Sequence, residues 1–122
     1  MTLIAGFGYR AAATAESLAN ALAKAREAAN VTAPLTNICV PADKAEEPCI
    51  VAFATDAGVE ITAINPAALT DIETPTQAER VIEKRGVGSV AEAAALAGGG
   101  AALIADRVVS DDRMATCALA KG

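Results

Sequence analysis

The residues best suited to chemistry are Gly6-Phe7-Gly8-Tyr9-Arg10 and, far along the chain, Gly86-Val87-Gly88-Ser89. An arginine guanidinium is a rigid fork that matches a carboxylate or a phosphate. Here it stands beside glycines and ahead of a helical pattern that begins after Thr14. Backbone N–H groups and the helix dipole favour negative charge at such a place. Ser89 holds the same position before Val90–Leu96, and Lys44 supplies a second cation ahead of another helix. Gly6, Gly8, Tyr9, Arg10, Thr14, Lys44, Gly86, Gly88 and Ser89 are therefore the candidate ligand-binding set. Structural readings stand beside these. The glycines serve equally as tight turns, Arg10 as half of a salt bridge, and Lys44 as the i, i+3 partner of Glu47. Tyr9 suits stacking on a flat ligand or closing the loop over the core.

Gly6-Phe7-Gly8-Tyr9-Arg10-Ala11 also fits the relaxed dinucleotide pattern G-x-G-x-x-A. That alternative makes the chain a small nucleotide- or phosphate-binding α/β domain. Asp43 follows the second predicted strand, where a ribose-binding acid would stand, but it comes too late for the usual spacing. The chain, at 122 residues, is also short for a full dinucleotide domain.

There is no histidine, which removes Ser-His and Cys-His mechanisms and histidine ligation of a metal or cofactor. No metal or cofactor is expected. A catalytic base would have to be a carboxylate such as Glu92 or Asp112, a tyrosine or a bound water, and none is singled out. Cys39, Cys49 and Cys117 form an odd set with no close pair, as free thiols in a reducing compartment would. Their simplest role is as small buried hydrophobes.

The elements that must position these residues follow from spacing. Thr2–Ala5 is a short apolar run leading into the first glycine loop. Thr14 caps a helix with Glu16 in its first turn, an apolar stripe at Leu18, Ala21, Leu22, Ala25 and Ala29, and a stop at Asn30. Thr36–Val40 reads as a strand ended by Pro41. Asp43 is placed to cap a helix with Glu46, Glu47 and Pro48 in its first turn and Gly58 at its end. Val59–Ile64 reads as a third strand, and Asn65-Pro66 starts a short helical turn through Leu69. Thr70–Pro75 is a loop, and Thr76 with Glu79 forms a T-x-x-E box for a helix closed by Gly86. Ser89 with Glu92 forms a capping box, and Gly98-Gly99-Gly100 stops that helix. Ala102–Ala105 and Met114–Leu119 read as strands joined too tightly for a helical crossover, hence an antiparallel hairpin. The whole is one domain over residues 1–122, a three-layer α/β fold with a mixed sheet and a C-terminal β-hairpin.

Hydrophobic residues make up 53% and aromatics only 2%, so the core is built from Ala, Val, Leu and Ile, and a homodimer is one way to bury more surface. The net charge of −5 argues against nucleic acid or an anionic membrane as partner. No apolar run approaches a membrane span, and Met1–Ile4 has no signal-peptide character, so a cytoplasmic location is expected.

Taken together, these stretches resemble the cobalamin-biosynthesis family that includes CobE and the C-terminal domain of CbiG. The residues carrying the resemblance are Gly6–Arg10 with Thr14 and Glu16, Lys44 with Glu47-Pro48, Gly86 through Leu96, and Thr116–Ala120. The family commonly has a cysteine where Tyr9 stands, a second basic residue at Ala11, and often a threonine at Ala13. The resemblance implies a corrin-ring biosynthesis protein that binds a precorrin or other corrinoid intermediate. It further implies either assistance in opening a ring lactone, with release of acetaldehyde, or hand-over to other corrin-pathway enzymes. Such ligands carry many acetate and propionate carboxylates around an apolar macrocycle, which suits Arg10, Lys44 and the glycine-rich helix starts.

Overall fold

The computed structural model describes residues 3–69, 90–99 and 102–122. Its first strand, β1 (Leu3–Tyr9), runs through the glycines instead of ending before them, which corrects the expectation of a loop at Gly6–Arg10. Leu3, Ala5 and Phe7 alternate with Ile4, Gly6 and Gly8, the period-2 pattern of a strand covered on both faces. The glycines face the helix α4 (Val90–Ala97). A methyl on Gly6 would collide with the Ala91 carbonyl and lie 2.6 Å from Ala95 N. Glycine is needed there because another backbone passes directly over it.

Thr14 caps α1 (Ala15–Ala29) as expected, and the box it forms is with Ser17. Thr14 Oγ1 accepts the Ser17 N–H at 3.2 Å, and Ser17 Oγ accepts the Thr14 N–H at 3.2 Å. Leu18, Ala21 and Ala25 are buried, and Asn30 ends the helix in the left-handed region at φ 52°. The next strand, β2 (Asn37–Pro41), passes into a 3-10 turn over Ala42–Lys44. Helix α2 (Pro48–Ala57) starts only after that turn, with Glu47 at its cap position, Pro48 just inside, and Gly58 closing it. Asp43 therefore does not cap α2, because it lies within the 3-10 turn and Glu47 holds the cap position. Strand β3 (Glu60–Ile64) and α3 (Pro66–Leu69) follow, and Asn65 Oδ1 accepts the Ala67 N–H at 3.0 Å. The Thr76–Glu79 box and Gly86–Ser89, including Ser89's share of the second capping box, lie outside the described residues. Helix α4 is followed by Gly98 and Gly99, and then by the antiparallel pair β4 (Ala102–Val109) and β5 (Ala115–Lys121).

The five strands run in the order β3-β2-β1-β5-β4, with β1, β2 and β3 parallel and β5 antiparallel to both β1 and β4. Helices α1 and α2 cover one face over a core that includes Leu3, Phe7, Leu18, Ile38 and Ile50. Phe7 meets Phe53 edge-on with centroids 5.3 Å apart. Helices α3 and α4 cover the other face through Ile4, Cys39, Ile64, Leu69 and the α4 alanines. The mixed three-layer architecture with its C-terminal hairpin is the one the sequence predicts.

Candidate functional site at the strand ends

The three parallel strands end together at Tyr9, Pro41 and Ile64, with Pro41 opposite Ile64 in register. β5 enters the sheet at the same edge, where Ala115 pairs with Tyr9. Open α/β sheets bind ligands at such an edge. The turn joining β4 to β5 also lies there, since the Arg10 N–H donates to the Met114 carbonyl at 2.8 Å.

Arg10 follows directly after β1 and is exposed. Among the described residues it makes no ion pair, so the salt-bridge reading of this side chain finds no partner. Tyr9 lies half-buried on the α1/α2 face, and its hydroxyl donates to the Lys44 carbonyl at 2.7 Å. The Lys44 ammonium stands 5.1 Å from the Tyr9 ring centroid and 3.7 Å from Glu47 Oε1. Burial first, and then the Glu47 carboxylate, push the Tyr9 phenol well above its ordinary pKa, which disfavours it as a base. The structure thus brings Tyr9 and Lys44 together, with Arg10 next along the chain.

The other candidates separate from this group. Gly6 is buried beneath α4. Gly8 lies nearer the edge, where an added methyl would sit 3.0 Å from Thr116 Oγ1 and 3.3 Å from Val90 Cβ. The first residue of α4 therefore adjoins β1 close to its end. Thr14 is occupied as a helix cap. Gly86, Gly88 and Ser89 lie outside the described residues. The dinucleotide reading fails on geometry: its glycines must form the turn between strand and helix, whereas Gly6 and Gly8 are strand residues facing a different helix.

Asp112 and Glu92, named as possible bases, are both engaged. Asp112 accepts from the hydroxyls of Ser17 and Ser110, each at 2.5 Å, and from the Met114 N–H at 3.0 Å. The Ser110 and Ser17 hydrogen bonds hold its carboxyl below the usual range, which makes it a weak base. Glu92 is fully buried and its Oε2 accepts the Arg107 N–H at 2.9 Å. That N–H lies where the β4–β5 register shifts between Ala105 and Val108. The sequence reading missed both arrangements. The Ser110-x-Asp112 spacing in a hairpin turn was an available signal for the local part of the first, but nothing local signals its bond to Ser17 or the second.

Two of the three thiols sit in the core. Cys39 and Cys117 are buried, and burial raises the Cys39 thiol to about 11 and Cys117 further still. Among the described residues no group of three or more Cys, Asp and Glu side chains is arranged to hold a metal. No helix among them is long and apolar enough to cross a membrane. A shallow groove of about 350 Å³, lined by Val51, Ala54, Val59 and Ile61 among others, lies at the end of α2 and the start of β3. This places it at the opposite end of β3 from the strand edge described above.

The sequence profile of the family described as "Cobalamin synthesis G C-terminus" matches residues 3–120. The chain belongs to this family.

Solved structures agree with the assignment. CobE, described as a protein from the cobalamin (vitamin B12) biosynthetic pathway, is 33% identical with a TM-score of 0.86, over 98% of this chain and 89% of CobE. Cobalamin biosynthesis protein chiG from Agrobacterium tumefaciens is 28% identical with a TM-score of 0.69, over 98% and 97% of the two chains. A cobalamin biosynthesis protein G homolog from Sulfolobus solfataricus is 21% identical with a TM-score of 0.71, and shares the fold. This CbiG C-terminal-type chain matches only 36% of that longer protein. Comparison with curated protein sequences finds no match.

Proposed function

We propose that this cobalamin-biosynthesis protein binds a precorrin or other corrinoid intermediate through its peripheral carboxylates at the strand edge that carries Tyr9, Arg10 and Lys44. The observation that carries the reading is Arg10: an exposed guanidinium at the end of a central strand, without an ion pair among the described residues. A charge-assisted hydrogen bond from such a group to a carboxylate contributes roughly 1.5–3 kcal/mol once the bound ligand partly desolvates it. The Gly86–Ser89 stretch, directly ahead of Val90, is included in the site on sequence grounds.

Binding and hand-over to another corrin-pathway enzyme is the favoured role. Asp112 and Glu92 are held by hydrogen bonds and the Tyr9 phenol resists ionisation, so each is poorly suited to drive lactone opening. Titration with hydrogenobyrinic acid or an earlier precorrin, followed by absorbance, tests the binding. Acetaldehyde release from a lactone-bearing precorrin, tried with and without cobalt, distinguishes an enzyme from a carrier.

A further inference from the structure

Tyr9 anchors the turn that carries Lys44. Its hydroxyl donates to the Lys44 carbonyl at 2.7 Å, which ties the end of β1 to the 3-10 turn carrying Lys44. Its ring lies under the ammonium of the same residue at 5.1 Å. One tyrosine therefore fixes both the backbone and the charged tip of Lys44. The Glu47 carboxylate is 3.7 Å from that ammonium, well beyond the roughly 2.7–2.9 Å of a charge-assisted hydrogen bond. An aromatic face holds a cation without neutralising it, so the charge stays available for exchange. The phenol is protonated at working pH, as tyrosine ordinarily is, and so donates to the turn.

We propose that Tyr9 is a positioning residue: it presents the Lys44 ammonium, loosely shared with Glu47, for exchange onto a free carboxylate of the ligand. This rests on the corrinoid reading and specifies the chemical group recognised, a carboxylate and not its ester. Lys44 moves from Glu47 to the ligand, so Glu47 is a built-in competitor.

The test titrates hydrogenobyrinic acid and its fully esterified form against wild type, Tyr9→Phe, Tyr9→Leu, Lys44→Met and Glu47→Gln. Lys44→Met should weaken the acid roughly 10- to 100-fold and leave the ester unchanged. Tyr9→Phe, which keeps the ring but loses the tether, should weaken the acid about 2- to 12-fold, and Tyr9→Leu should weaken it more. Glu47→Gln should bind the acid more tightly than wild type, a gain that a purely structural role would not produce. In the unliganded protein, the ring should shift the NMR resonances of the Lys44 ε-methylene upfield, and Tyr9→Leu should abolish that shift. Absence of the shift in folded wild type overturns the inference without reference to any ligand. Wild-type binding that is indifferent to Lys44→Met and Glu47→Gln overturns the inference alone. Failure of wild type to bind the acid contradicts the corrinoid reading and the inference with it.

Discussion

The Ser17 hydroxyl donates to Asp112 Oδ2 across 2.5 Å, joining the first turn of α1 to the β4–β5 turn over a separation of 95 residues. Ser17 also closes the Thr14 capping box, and Asp112 also receives Ser110 and Met114. Lys24 and Asn20 add contacts from α1 to neighbouring Asp111. The chain beside Arg10 is thereby held between a helix start and a hairpin.

Asp112→Asn should lower the thermal midpoint at pH 7. The folded-state pKa of Asp112 is depressed, mainly by the Ser110 and Ser17 hydroxyls. Its contribution is therefore full above the unfolded carboxylate pKa of about 3.9 and is lost as pH falls through the lower folded value. Thermal melts from pH 7 down to pH 2 should show a wild-type advantage that narrows below about pH 4. A gap that stays constant with pH would show that the charge plays no part.

Gly6→Ala should destabilise by about 1–3 kcal/mol or more, because the new methyl meets α4 backbone that has no rotamer to adopt. Gly8→Ala should cost less, since its nearest neighbours are the side chains of Thr116 and Val90. Urea midpoints for the two variants make the comparison. Equal losses would mean that α4 does not lie as closely on Gly6 as described.

Glu92→Ala should cost about 1–3 kcal/mol by leaving the Arg107 N–H without its carboxylate. Urea unfolding measures the loss, and hydrogen exchange at Arg107 localises it. Unchanged protection of that amide would remove Glu92 from its place in the β4 irregularity.

The caps were the most legible features. Thr14, Asn30, Gly58 and Asn65-Pro66 act within a few residues of themselves, and each stands where its type predicts. The hairpin was legible because its connection is short. Gly6 and Gly8 misled because their meaning depends on α4, some 85 residues away; locally, a glycine pair before a helix resembles a ligand loop. The alternation of Leu3, Ala5 and Phe7 with Ile4, Gly6 and Gly8 was the available sign of a strand. Asp43 misled because the 3-10 turn after Pro41 delays α2. Arg10 was legible as a cation ahead of a helix start, but its place directly after β1 and its exposure depend on how distant segments meet around it.

Hydrogenobyrinic acid titrated into wild type and Arg10→Ala, followed by absorbance and checked by co-elution, tests the central claim most directly. The account predicts a saturable spectral change with wild type. It predicts an affinity roughly 10- to 100-fold weaker for the variant, with an unchanged thermal midpoint. No spectral change or co-elution with wild type, or equal affinity for both proteins, would contradict the assignment of Arg10 to a corrinoid carboxylate.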